Sequence, residues 1–143
     1  IARHSPEYGA SDRHVGVVLC AVPVVHEDAT AARRLARREV ALYLPIVAAL
    51  DPTVTLEPER LAGMKAAADR YDYDAAAAFV SDELLDRFAF AGSPEQVAAQ
   101  AQAIFAAGAS RVEFGTPHGL TAASGLRLLG ERGLPLLAST RTA

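Results

Sequence analysis

The spacing of hydrophobic positions changes several times along the chain, and each change marks an element. Val15 to Val25 is nearly all apolar and rich in valine. Such an unbroken β-branched run predicts a strand buried on both faces, as in a parallel sheet. Pro23 has no N–H and is expected to end regular pairing near the strand's C-terminal end. From about 28 to 50 the period becomes helical, with Asp28 as N-cap. Ala32, Leu35, Ala36, Tyr43, Ile46 and Leu50 fall on one stripe, and Arg33, Arg34, Arg37 and Arg38 on the other faces. Pro45 is expected to kink this helix or end its first part.

Residues 51 to 86 show no strand pattern. Asp51-Pro52 and Glu57-Pro58 punctuate them, and helical segments are expected at about 58 to 70, 73 to 80 and 82 to 87. Phe88 to Ala91 is a short candidate strand. Ser93, Pro94 and Gln96 then form a capping-box signature, with Pro at the first helical position. Val97, Ala101, Ile104 and Phe105 are the expected buried stripe, and Gly108 the stop. Arg111 to Phe114 predicts another strand. Leu120 to Arg132 predicts a last helix, ended by Gly133 and Pro135, before a short apolar tail from Leu134 to Ala138. Residues 1 to 14 are polar and punctuated and read as a lead-in loop. The order is β/α (15–50), helical insertion (51–86), β/α (87–109) and β/α (110–138), an α/β class with parallel strands joined by right-handed crossovers. Helices on one side only would leave a sheet face bare. Cover is then expected from more of a barrel or from a partner chain.

Composition narrows the function. The chain has 143 residues, 51% of them hydrophobic and 22% charged, with a net charge of −3. The acidic balance argues against nucleic acid and against a membrane surface, which both favour a basic face. The one cysteine, Cys20, excludes a disulfide framework and fits a reducing, cytoplasmic setting. The apolar run at 15–25 is too short to span a bilayer. Residue 1 is Ile and the one methionine is Met64, so the chain is expected to begin inside a longer product or after processing. Lys65 is the one lysine among 14 basic residues, which has the look of a high-G+C bacterial coding bias.

Two loops carry the candidate chemistry. Gly92 and Ser93 stand at a helix start, where free N–H groups favour anions; the plainer reading is an N-cap. Gly115-Thr-Pro-His-Gly119 follows a strand; its glycines would let a ligand approach, and Thr116 and His118 offer polar contacts. Its plainer reading is a tight turn. Glu113 points either into a barrel or to solvent. His26, Glu27 and Asp28 are metal-ligand types without paired-His spacing, so no metal site is expected. The arginines from 33 to 38 read as a solvated helix face. Tyr71-Asp-Tyr-Asp74 reads as helix-junction packing or the edge of a substrate mouth. No Walker loop, dinucleotide GxGxxG, nucleophile elbow or CxxC is present.

The stretch FAFAGSPEQVAAQAQAIFAAGASRVEFGTPHGL, behind an apolar strand, an Arg-rich helix and a helical insertion, resembles the luciferase-like flavin- or deazaflavin-dependent monooxygenase and reductase superfamily. Within it, the methylenetetrahydromethanopterin reductase branch is the nearest in pattern. The resemblance covers about 15 to 137 and is sharpest at Ala91 to Gln96 and Arg111 to Leu120. It implies that residues 1–143 are the C-terminal part of a (β/α)8 TIM barrel, with Val15–Val25, Phe88–Ala91 and Arg111–Phe114 as strands six, seven and eight. It implies an oxidoreductase that passes hydride between FMN or the deazaflavin coenzyme F420 and a small organic substrate. Its catalytic residues would lie in earlier strands, so this segment is expected to be inactive alone. Gly92, Ser93, Gly115, Thr116, His118 and Gly119 are the cofactor-rim candidates by position. The alternative is a non-catalytic partial barrel that self-associates as a homodimer through its exposed sheet, or docks to a partner chain.

Overall fold

The computed structural model describes residues 16–139; the lead-in 1–14 and Val15 lie outside them. Strand β1, Val18–Val25, leads into α1, Ala29–Leu50. The Asp28 carboxylate caps α1 by accepting from the N–H groups of Thr30 and Ala31. Three helices follow, α2 Pro58–Asp69, α3 Tyr73–Ala77 and α4 Asp82–Phe88, and then β2, Ala89–Gly92. The Ser93–Gln96 capping box opens α5, Pro94–Ala106. Gly108 turns the chain out of it at φ 105°, toward β3, Arg111–Phe114, and β4, His118–Gly119. Helix α6, Ala122–Leu128, passes through a π turn, Leu129–Gly133, into α7, Leu134–Ser139.

All pairings are parallel, and β1 stands in the middle of the order β2-β1-β3. Consecutive barrel strands would put β2 in the middle. The chain instead steps from β1 to β2 on one side, then returns past β1 to β3 on the other. Right-handed crossovers taken in opposite directions put their helices on opposite faces, and the packing follows. Val22, Val24, Ala89 and Ala91 face one core with α1 to α4, including Val40, Leu44, Met64 and Leu85. Val25, Phe90, Val112 and Phe114 face a second core with Val97, Ala101, Leu128 and Leu129. The expected single-sided layer is therefore replaced by a sheet covered on both faces around the C-terminal half of β1.

The N-terminal half of β1 is different. Val18 is 52% exposed and Cys20 is exposed. They share a face with Arg111 and Glu113 of β3, which form a 2.7 Å ion pair with each other. β2 reaches β1 only from Val22 onward. Val17 and Ala21 accept from the β3 side, whereas His26 donates to Gly92 on the β2 side. In a parallel ladder alternate residues face alternate neighbours, so the backbone groups of Val18 and Cys20 face the side where β2 has not yet begun.

Several local expectations shift. Pro23 does not end pairing, because it falls opposite the break between β3 and β4, where an N–H is not needed. Pro45 does not end α1. On α1 the buried line is Ala32, Ala36, Val40, Ala41 and Leu44, while Ile46 and Leu50 are 67% and 79% exposed because the helix outruns the sheet. Phe105, in the last turn of α5, is exposed rather than part of the buried stripe. The chain does not become a tail at Gly133: the Leu134 N–H bonds to the Leu129 carbonyl with π spacing, and α7 follows. Pro135 sits in the first turn after it, where a missing N–H costs little. The Arg33–Arg38 face is not simply solvated. Arg33 bonds Asp82 and Asp86 at 2.7 Å each, Arg37 joins Asp82, and Arg38 lies 3.5 Å from Asp74. These pairs fasten α1 to α3 and α4. Tyr71 is exposed and touches the Tyr73 ring edge-on rather than packing a helix junction.

Candidate functional site

The six rim candidates divide between two places. Gly92 and Gly119 stand on either side of Val25, in register with it, at the C-terminal end of the sheet. His118 pairs with Val24 one residue lower, half-buried and with φ 75°. This is the end of a parallel sheet where ligands usually bind, but its donors are largely engaged. The Ser93 N–H donates to Gln96 Oε1 at 2.9 Å, and its hydroxyl donates to Glu95 at 2.8 Å. A Cβ at Gly92 would collide with the Gln96 side chain, so its glycine is required by the cap. A Cβ at Gly119 would lie 2.7 Å from the Gly125 Cα and 2.8 Å from the Val25 carbonyl oxygen. The two glycines let α6 seat directly on β4, and the close approach is made by protein, not left for a ligand.

Arg132, on the π turn, bonds Glu27 after β1 and Glu95 at the start of α5 (2.6 Å for the second). The guanidinium, with the Ser93 hydroxyl and a backbone N–H, holds the Glu95 carboxyl down to about 2. An intrinsic carboxylate thus occupies the anion-favouring first turn of α5. His26 Nδ1 accepts from the Asp28 N–H, a capping role, and among the described residues no His, Cys, Asp and Glu group is placed to hold a metal.

Gly115 and Thr116 lie elsewhere. They edge an open cleft of about 410 Å³ on the exposed half of the β1 face. Its floor is Cys20 and Val22, its wall Tyr43 and Val47 of α1, and its far rim Arg87 and Phe88. Gly115 donates to the Ala21 carbonyl at 3.1 Å, and the Thr116–Pro117 bond is cis. The Tyr43 hydroxyl donates to the Phe88 carbonyl at 3.1 Å, and burial beside the Glu39 charge pushes its pKa up to about 12. The phenol is therefore a fixed, neutral strut rather than an acid. Arg87 donates to the carbonyl and hydroxyl of Thr53 at 3.2 and 3.1 Å.

Sequence reasoning missed this cleft. Tyr43 read as one more apolar position, and Cys20 as part of a buried strand. The available signal was the polar hydroxyl within the α1 stripe. A flavin or deazaflavin is not accommodated by the six candidates as a set, since Gly92, Ser93 and Gly119 are spent on the fold and lie apart from Gly115 and Thr116.

Comparison with known proteins adds the following. A family model described as luciferase-like monooxygenase matches residues 1–111. A solved structure of coenzyme F420 dependent tetrahydromethanopterin reductase from Methanopyrus kandleri superposes with a TM-score of 0.71 at 21% identity, over 84% of this chain and 35% of that one. At such identity the likeness is one of fold. The chain spans about a third of the length of that reductase chain. No curated protein matches the chain.

Proposed function

The chain belongs to the luciferase-like monooxygenase family, and from that premise we propose that it is the C-terminal part of a barrel oxidoreductase passing hydride between a flavin or deazaflavin and an organic substrate. The family match over residues 1–111 carries this reading, and the fold shared with an F420-dependent reductase supports it. In this reading β1 and β3, which pair directly, are consecutive barrel strands, and β2 lies beside the upper end of β1 as part of the excursion between them. Thr116 and His118 remain as rim contacts, because the other candidates already have structural tasks. The cofactor, FMN or F420, is held mainly by the rest of the barrel, in a cytoplasmic protein. No helix among the described residues is long and apolar enough to cross a membrane.

Spectral titration tests the division of labour. The 143 residues alone should show no saturable binding of FMN or F420 at micromolar concentration, whereas a protein carrying the whole barrel should bind one of them. Micromolar binding by the isolated chain would count against this reading.

A second reading is favoured by one observation. Leu42, Ile46 and Leu50 line the outer end of α1, and all three are exposed. Symmetric self-association through this stripe and the neighbouring Val18 face would cover them. Light scattering should then show a dimer whose fraction grows with concentration; a monomer throughout the range would exclude it.

A further inference from the structure

The cleft beside β1 has a composition that selects a ligand class. Its floor and walls are apolar or aromatic: Val22, Val47, Phe88 and the ring of Tyr43. Its volume of about 410 Å³ falls among pockets that take small organic molecules, roughly 300–1,000 Å³. The wall is preformed, since the Tyr43 hydrogen bond to the Phe88 carbonyl holds α1 against the α4–β2 junction. The lining carries one charge, that of Arg87. Arg33, Arg37, Arg38, Arg111, Arg127 and Arg132 each face a carboxylate. Arg87 has no direct ion pair among the described residues: Thr53 oxygens hold its Nη2, and the nearby Asp51 carboxylate feels its charge. The Thr53 contacts in turn engage Asp51, whose Oδ1 accepts from the Thr53 N–H and hydroxyl at 2.8 and 2.7 Å. The guanidinium is thereby fixed at the rim of an apolar cleft with donors to spare.

We propose that this cleft binds a small aryl carboxylate, its ring against Phe88 and Tyr43 and its carboxylate on the free N–H groups of Arg87. A carboxylate is the natural partner of a fixed guanidinium, through charge-assisted and bidentate bonds. The apolar floor would gain from covering by a ring. The cleft shares Thr116 with the rim of the oxidoreductase reading, but the proposal invokes no cofactor and no reaction.

Cys20 on the floor is the chain's one cysteine and provides the readout. Alkylation of Cys20 by iodoacetamide, followed by intact mass, should slow saturably as 4-phenylbutyrate is added. The neutral 4-phenylbutan-1-ol should protect far less. Arg87→Gln should weaken protection by the acid about tenfold, the worth of one charge-assisted hydrogen bond, while Arg87→Lys should restore part of it. Val47→Trp, which fills the cleft from α1, should shield Cys20 with no ligand present. Absence of protection at millimolar acid, equal protection by acid and alcohol, or unchanged protection in folded Arg87→Gln would each overturn the proposal. Free alkylation of Cys20 in folded Val47→Trp would do the same, because Cys20 would then not lie beneath the cleft. Flavin and F420 titration reads the oxidoreductase assignment separately, so the two can fail independently.

Discussion

The two halves of β1 have similar sequences and opposite surroundings. Val22 to Val25 has β2 on one side, β4 on the other, and a core on each face. Val18 to Ala21 has β3 alone beside it, and one of its faces is open at Val18 and Cys20. Leu19 and Ala21, on the opposite face, still pack against the second core. Apolar β-branched character thus marks where burial is possible, while the return path of the chain decides where it happens. The covered half is the foundation of this segment. The open half is where ligands, more protein or a second copy can act.

The largest test of the contrast lies at the covered end. Gly125→Val would drive a side chain into the His118 carbonyl, a backbone contact that cannot swing aside. It should cost about 3 kcal/mol in urea unfolding, at the upper end of overpacking effects; a wild-type midpoint would show that α6 does not seat on β4 as described. Next comes a matched pair. Val24→Ala, at a fully buried position, should cost about 2 kcal/mol, and Val18→Ala no more than about 0.5 kcal/mol. Equal losses would erase the distinction between the halves. Hydrogen exchange sharpens the same point, since the amides of Val18 and Cys20 should exchange faster than those of Val22 and Val24.

Smaller effects sit at the rim of the covered half. Ser93→Ala removes an N-cap and should cost about 1 kcal/mol; no loss would mean the cap is redundant. The smallest is a pH effect. Glu95 is held down to about 2 from a reference value of 4.5. A carboxylate with a lowered folded pKa contributes stability above its unfolded pKa, and the contribution disappears as pH falls from the mid-fours toward 2. Because Glu95 is exposed, solvent screens most of it. NMR titration should show Arg132→Gln raising the Glu95 pKa toward the ordinary value; an unmoved titration would remove Arg132 as the cause.

Features decided within a few residues were legible in the sequence. Asp28 capping α1, the Ser93–Gln96 box and the Gly108 exit depend on adjacent side chains and φ angles, and each stands as read. The alternation that would fix strand order does not exist locally, because nothing in 88–91 says which edge of β1 it will take. The two-residue β4 was equally hidden: its pairing depends on Pro23 lying opposite a break in the neighbouring strand. The π turn masked the continuation of the last helix past Gly133 and Pro135. For the candidate site, Gly119 correctly signalled a close approach, but the approaching group is Gly125, six positions later on α6. Gly115 correctly marked the edge of a cavity. What the cavity contains came from α1 and α4, elements whose side chains carried no motif.

The central position of β1 also sets the order of events during synthesis. Its partners in β2 and β3 lie roughly seventy and ninety residues downstream. At translation rates of about 5–20 residues per second, the valine-rich strand would wait several seconds or more for its sheet. α1 follows directly and covers Val22 and Val24, and α2 to α4, which share that core, also precede β2, so helices come before either strand partner. A ribosome-bound nascent chain stalled before residue 89 would therefore hold β1 on a helical bed before β2 and β3 can pair with it, with apolar strand surface still to be covered.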